Sequence, residues 1–318
     1  MSWEKRLIAR HSPSDRIDAA IDMLFRKQRR DWQLLRENEA TLAGARVRRL
    51  VDGPDSVIAQ ENPGRHGSVS AKVDTASVAS RPCFLCEHNL PEQERAIGFG
   101  SDLFLLPNPY PIVPQHISIP SRAHEAQAID GRLPDFLALS KAIGGEHLAI
   151  YNGPRCGASA PDHFHFQTGH IPHPPIETAI ERGRSKGRWT AVDSLGRRAV
   201  VLRTPDADEA ERKLRLAIKE LATINDSDDE PMLNLLGRYR GDAYEVFFFP
   251  RDRHRPDCYF AESEERLLVS PGAMEMAGVV VLPHARDFER IDAGQVREIF
   301  DQVTLDKDRF EEWWGELR

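Results

Sequence analysis

The sequence predicts an α+β fold, an antiparallel sheet with helices, and three observations carry that prediction. Short apolar or period-two runs bounded by Pro, Gly, Asn and Asp recur at 103–106, 116–120, 148–151, 163–167, 199–203, 232–236, 243–249, 267–270 and 278–282, the pattern of strands joined by turns. Stretches of helical period lie between or after them at 134–143, 207–224 and 293–303. Strands, a loop, a further strand and a helix follow one another over 103–143, and the same order recurs over 232–303. An internal duplication is expected, its second copy lacking both a Cys pair and a His-x-His element.

The elements follow in chain order. Ser12-Pro13-Ser14-Asp15 offers an N-cap, a proline for the first helical position and an acid three residues after the cap. One packing helix is expected from there to about Asn38, with Ile17, Ile21, Leu24, Phe25, Trp32 and Leu35 as its apolar stripe. A hairpin over 47–60 turns at Asp52-Gly53-Pro54-Asp55. Gln60, Asn62 and Arg65 follow in a polar loop; ligand contact and plain turn chemistry account for them equally well. Residues 67–80 are small, polar and aperiodic, a connector or flap. Arg251, Arg253, His254 and Arg255 leave the end of a strand, either toward phosphates or into solvent. His170 and His173 read as loop residues, Cys156 and Cys258 as small buried side chains, and Trp313-Trp314 as packing.

Composition narrows the function classes. With 318 residues and a net charge of −7, no overall field favours nucleic acid, so an anionic substrate requires a local cluster of Arg, Lys and His. No apolar run reaches the length of a membrane span, and Lys5 and Arg6 are not followed by an apolar leader core. Four cysteines do not make a disulfide framework, and Cys83-Phe-Leu-Cys86 has a spacing that suits a metal. The expected setting is reducing and cytoplasmic, without a membrane or nucleic-acid partner.

The chemistry concentrates in residues 151–167, Tyr-Asn-Gly-Pro-Arg-Cys-Gly-Ala-Ser-Ala-Pro-Asp-His-Phe-His-Phe-Gln. A period of two places His163, His165 and Gln167 on one face of a strand, toward a cleft, and Phe164 and Phe166 on the other, toward the core. Upstream, Gly153, Gly157, Ala158 and Ser159 form a loop of small residues whose backbone N–H groups can converge on an anion. A phosphate site beside two histidines is the expectation. Packing alone does not explain two histidines and a glutamine at strand spacing.

These residues resemble the histidine-triad (HIT-like) superfamily, in the branch that holds galactose-1-phosphate uridylyltransferase, diadenosine tetraphosphate phosphorylase and the GDP-hexose phosphorylases. The resemblance rests on Asn108-Pro-Tyr-Pro, on Ile117-Ser-Ile-Pro-Ser-Arg-Ala-His124, and on Asn152 through the His-x-His-x-Gln that ends at Gln167. A bacterial group of phosphorylase-like proteins shares the Cys-Phe-Leu-Cys and Gly-Ala-Ser-Ala-Pro-Asp-His-Phe-His-Phe-Gln strings. The resemblance implies two HIT-like halves: a catalytic one over 83–190 and a degenerate one over 191–318, with 1–82 as an N-terminal helix, hairpin and connector packed on the core.

It also implies a mechanism. His165 is the nucleophile that takes a nucleotidyl group as a covalent intermediate, with Gln167 and His163 beside it. Asn152, Arg155, Gly157, Ala158 and Ser159 hold the substrate, a nucleoside diphosphate sugar or dinucleoside polyphosphate, whose acceptor is inorganic phosphate or a sugar phosphate. A non-titrating amide at position 167 suits leaving groups that are already stable anions, which favours transfer or phosphorolysis over the hydrolysis typical of histidine-triad hydrolases. A nucleotide hydrolase and a non-catalytic nucleotide-binding module are the alternatives. The one-residue insertion of Asp162 ahead of His163 leaves open whether Ser159 or Asp162 contacts the phosphate. Cys83, Cys86, His124 and His163 form a Cys₂His₂ set for structural zinc, with His116 the competing ligand. A redox Cys pair and unligated thiols are the other readings.

Overall fold

A computed structural model describes residues 2–71 and 73–318. Its strands are β1 (Leu7–His11), β2 (Val47–Val51), β3 (Val57–Glu61), β4 (Ala96–Phe99), β5 (Leu103–Pro107), β6 (Ile117–Pro120) and β7 (His147–Asn152). β8 (His165–His170), β9 (Arg184–Lys186), β10 (Trp189–Ser194), β11 (Arg197–Thr204), β12 (Leu233–Arg240), β13 (Ala243–Pro250) and β14 (Val279–Leu282) follow. Eleven of them form one sheet in the order β1-β4-β5-β6-β8-β7-β12-β13-β11-β10-β9, antiparallel except for β1 against β4. The α+β class with a large, mostly antiparallel sheet is the one the sequence predicts. A second sheet, β14-β3-β2, carries the expected hairpin, with β14 parallel to β3.

The period of two in β8 decides the layering. Phe164 and Phe166 go into one core with Tyr151, Phe136 and the helices α1 (Asp18–Asp31), α2 (Gln33–Ala43), α3 (Leu133–Ala142) and α4 (Ala207–Ile224). Each buried aromatic contributes about 1.5–3 kcal/mol. Leu148 and Ile150 point to the opposite face, where β14 and the later helix α5 (Ala293–Val303) build a second core. The second sheet and residues 270–275 thus lie over the face of the main sheet that carries His165 and Gln167, and a cleft lies between them.

Several expectations need correction. The N-terminal helix is two helices, broken at Trp32, whose extended backbone (φ −131°, ψ 101°) turns its ring into the core that also takes Phe25 and Leu35. Helix α1 starts at Asp18 rather than after Ser12, because residues 7–11 are spent on β1 and Ser12 to Asp15 close a turn in which the Asp15 carboxylate accepts from the Ser12 N–H at 2.8 Å. The first 82 residues therefore do more than pack on the core: they supply β1 to the main sheet and two strands to the second. Residues 267–270 form no strand, since the Leu268 N–H bonds the Asp287 carboxylate at 3.0 Å in place of a neighbouring strand.

The repeat is present in a different register from that expected. β5, β6, α3, β7 and β8 lie in the sheet as β5-β6-β8-β7, and β10, β11, α4, β12 and β13 lie as β10-β11-β13-β12, with β7 and β12 meeting at the junction. The counterpart of α3 is thus α4 and not the helix at 293–303. No described helix is long and apolar enough to cross a membrane.

Candidate functional site

His165 is the first residue of β8, pairs with Pro120 of β6, is 4% exposed and lines the cleft. Gln127 fixes its backbone: the Gln127 Oε1 accepts from the His165 N–H at 2.8 Å, and its Nε2 donates to the carbonyls of Asn152 and His165 at 2.9 and 3.0 Å. The His165 Nδ1 lies 2.9 Å from the His163 carbonyl. A carbonyl carries no proton, so Nδ1 is the protonated nitrogen and Nε2 keeps its lone pair. Burial holds this ring down to about 4, against the opposing pull of that hydrogen bond, so the imidazole is neutral at physiological pH.

Gln167 lines the cleft two residues on. Its Oε1 is 2.8 Å from the Nε2 of His116, whose Nδ1 accepts from the Ile112 N–H at 3.3 Å. His116 is therefore protonated at Nε2 and donates to Gln167, which leaves the Gln167 amide N–H₂ directed away from that bond as the donor for the cleft. His116 is 1% exposed, and burial, with Arg65 adding to it, pushes the ring down to about 3. The sequence reading weighed His116 only as a metal ligand and missed this positioning role. The signal was its place just ahead of β6, in which Ser118 pairs directly with Gln167.

Asn152 ends β7, and its Oδ1 accepts from the Asn234 Nδ2 at 2.9 Å and the Ala273 N–H at 2.8 Å, which turns its own N–H₂ to the cleft. Asn234 is held in turn by the buried Arg251, whose remaining donors are taken by backbone carbonyls. Gly157, Ala158 and Ser159 line the cleft next to it. Gly157 has φ +112°, and a Cβ there would lie 2.9 Å from the Gly272 Cα and 3.0 Å from the Asn152 Oδ1, so only glycine lets the loop approach this closely. Arg81 ties the loop down by donating to the Ser159 carbonyl at 2.6 Å.

Two predicted residues stand elsewhere. Arg155, expected as a countercharge, is exposed and donates to the Glu230 carbonyl at 2.7 Å, outside the cleft lining. The arginines that line the cleft are Arg65, Arg81 and Arg255, from loops remote in sequence. His163 lies in the bend ahead of β8 rather than on its cleft face, because its ring is drawn to the cysteines. Gln60 and Asn62 support the 110–112 turn by donating to the carbonyls of Ile112 and Pro111, and Arg65 donates to that of Tyr110.

The cysteine pair meets two histidines. Ligand atoms of Cys83, Cys86, His124 and His163 all lie within 4.8 Å of one another. Cys83 Sγ is 3.3 Å from His163 Nδ1, and Cys86 Sγ is 3.2 Å from His124 Nδ1 and 3.6 Å from His163 Nδ1. Tetrahedral zinc with Zn–S near 2.3 Å and Zn–N near 2.0 Å spaces S and N about 3.5 Å apart. Both outer nitrogens are engaged as a metal site requires: His163 Nε2 donates to the Ser121 carbonyl at 3.0 Å, and His124 Nε2 faces the Asp162 carboxylate at 3.6 Å. The extra residue Asp162 thus faces a histidine of the cluster. The donor set fits a zinc ion.

The cleft encloses about 860 Å³ and contains His165, Gln167, Asn152 and the 157–159 loop together with His254, Arg255 and Glu275 from the segments that follow β13. A separate depression of about 1090 Å³ takes His170 and His173, with none of the site residues.

The crystal structure of yeast Ap4A phosphorylase Apa2 superposes with a TM-score of 0.60 over 86% of this chain and 98% of that one, at 15% identity. The same enzyme in complex with Ap4A gives 0.60 over 92% and 98%, at 15% identity, and in complex with AMP 0.54 over 86% and 96%, at 16% identity. The chain has the Ap4A phosphorylase fold. Two family models also match: one described as a domain of unknown function (DUF4922) over 24–170, the other as a GDPGP1-like C-terminal domain over 231–317. Together with the fold they support the histidine-triad-like superfamily. No curated protein matches the chain significantly.

Proposed function

We propose that this chain is a nucleotidyltransferase of the phosphorylase type that cleaves a nucleoside diphosphate sugar or a dinucleoside polyphosphate. The observation that carries the reading is the tautomer of His165: Nδ1 is committed to the His163 carbonyl, and the unprotonated Nε2 belongs to a residue that lines a nucleotide-sized cleft. In the first step the Nε2 lone pair forms a bond to the α-phosphorus, the bridging P–O bond breaks, and its electron pair leaves on the sugar phosphate of a nucleoside diphosphate sugar or on the nucleoside polyphosphate of a dinucleoside polyphosphate. In the second step an oxygen of inorganic phosphate or a sugar phosphate attacks the same phosphorus and the P–N bond breaks, which restores the neutral ring. Gln167, Asn152 and the N–H groups of residues 157–159 supply donors for the non-bridging oxygens as charge builds. Ser159 reaches the phosphate through its backbone in this reading. A zinc ion held by Cys83, Cys86, His124 and His163 supplies position only, by fixing the His163 carbonyl on which the His165 ring leans. The first repeat carries the chemistry, and the segments that follow the second, degenerate repeat close the cleft.

The test is to mix the protein with α-labelled nucleoside diphosphate sugars and dinucleoside polyphosphates, quench, and look for an acid-labile histidine adduct. His165→Ala abolishes the adduct on this reading, and turnover requires inorganic phosphate or a sugar phosphate. An adduct that persists in the variant overturns the mechanism, and turnover without either acceptor identifies a hydrolase.

A further inference from the structure

Two residues join the Cys₂His₂ cluster to the 157–159 loop without passing through His163. Arg81 lies just ahead of Cys83, lines the cleft and donates from Nη2 to the Ser159 carbonyl at 2.6 Å. The same nitrogen is 3.9 Å from the Asp162 Oδ1, and the guanidinium carbon sits 5.1 Å from the centre of the ring of Phe84, which stands between the two thiols in sequence. Asp162 turns its other oxygen, Oδ2, to within 3.6 Å of the His124 Nε2. The Asp162 Oδ1 and the Arg81 Nε are both shut off from solvent, and neither makes a hydrogen bond. A continuous row thus runs from His124 through Asp162 and Arg81 to the carbonyl of Ser159.

Each member of the row depends on the one before it. A peptide unit is planar, so a guanidinium fixed on the Ser159 carbonyl sets the tilt of the whole peptide that ends the loop. Held by that carbonyl alone, the guanidinium swivels about it; a carboxylate on one side and an aromatic face on the other remove that freedom. Asp162 in turn has a fixed neighbour only while His124 stays in place. The His124 side chain is 48% exposed, so packing does not hold it. Its Nδ1 lies 3.2 Å from the Cys86 Sγ, and a metal shared by these two atoms pins the ring with Nε2 toward Asp162.

We infer that Asp162 and Arg81 are positioning residues that couple metal binding at the Cys₂His₂ cluster to phosphate binding at the 157–159 loop. The inference rests on the reading of the cleft as a nucleotide site. It gives the residue inserted ahead of His163 a role: Asp162 stands between the cluster and the loop and faces both. Coupling of this kind is reciprocal, so the factor by which the metal tightens the nucleotide is the factor by which the nucleotide tightens the metal. Partly exposed ion pairs are individually weak, which places that factor at about 5, the low end for coupled sites.

The test is competition for zinc between the zinc-loaded full chain and a chromophoric chelator, with and without the tightest binder among AMP, GMP, CMP and UMP, chosen by calorimetry. The nucleotide tightens zinc about 5-fold in wild type. Asp162→Asn sets an N–H₂ against one of the two donors that flank the carboxylate, and Arg81→Gln removes the guanidinium. Both variants keep their zinc by elemental analysis, yet the tightening disappears in each and nucleotide affinity drops by the same factor. The double variant loses no more than either single one, since the two residues act in series. A residue that only supported the local fold would weaken zinc or nucleotide separately and leave the coupling between them intact. The isosteric Asp162→Asn decides the matter where Arg81→Gln does not fold. Zinc affinity indifferent to the nucleotide in wild type, coupling kept in Asp162→Asn, additive losses in the double variant, or a wild-type chain that takes up no zinc overturns the inference alone. If none of the four nucleotides binds wild type, the reading of the cleft as a nucleotide site falls, and the inference with it.

Discussion

The Nδ1 of His165 sits 2.9 Å from the carbonyl of His163, the residue whose own ring joins Cys83, Cys86 and His124. One residue thus links the Cys₂His₂ cluster to the ring that lines the cleft. The link is mechanical: His163 is fixed at Nδ1 by the thiols and at Nε2 by the Ser121 carbonyl, and its backbone then sets the tautomer and tilt of His165.

Removal of that anchor is expected to slow the reaction without emptying the cleft. Cys83→Ser loses the bound metal, and adduct formation at His165 falls about 10- to 100-fold, the range seen when groups that orient a functional ligand are lost. Elemental analysis beside single-turnover adduct kinetics checks it. A metal-free variant with the wild-type rate would show that the cluster does not position His165.

The pH profile tests the protonation state. Protonation of the His165 Nε2 removes the attacking lone pair, and burial lowers this ring from 6.5 to about 4. A depressed value keeps the nucleophile neutral as pH falls, so adduct formation stays level from pH 7 to 5 and declines only as pH approaches about 4. Rapid-quench measurements across that range decide the matter. A limb centred near 6.5 would mean a solvated ring.

Gln167 is expected to act through its amide donor. His116 occupies the Gln167 oxygen at 2.8 Å, so the N–H₂ is the group left for a phosphoryl oxygen. Gln167→Glu exchanges that donor for an acceptor, and adduct formation falls about 10²- to 10³-fold, the usual cost of one lost donor at a developing charge. Far-ultraviolet circular dichroism shows whether the variant keeps its fold. A rate within a factor of two or three of wild type would remove Gln167 from the mechanism.

The sequence disclosed what is local. Alternation sends Phe164 and Phe166 to one core and leaves His165 and Gln167 on the other face, since a side chain's side of a strand follows from its neighbours. The rule misplaced His163 because it stands before the first paired residue, where the bend and not the pleat directs the ring. The repeat was visible, but its register was not. The helices at 207–224 and 293–303 are both amphipathic, and only strand pairing distinguishes which one stands where α3 does. Arg81 and Glu94 escaped as cleft walls because they come from turns whose meeting depends on long-range closure, and for Arg65 and Arg255 the same dependence left the choice between a ligand-facing and a bland role open.

The junction between β7 and β12 has a mechanical corollary. Asn152 and Asn234 are opposite one another in a ladder shared by the two repeats, so the repeats are stitched by backbone bonds rather than hinged. A swing of one repeat away from the other would tear that seam. Admission and release of a ligand therefore fall to the surface turns around the cleft mouth, and turnover should be throttled by loop motion and not by jaw-like opening.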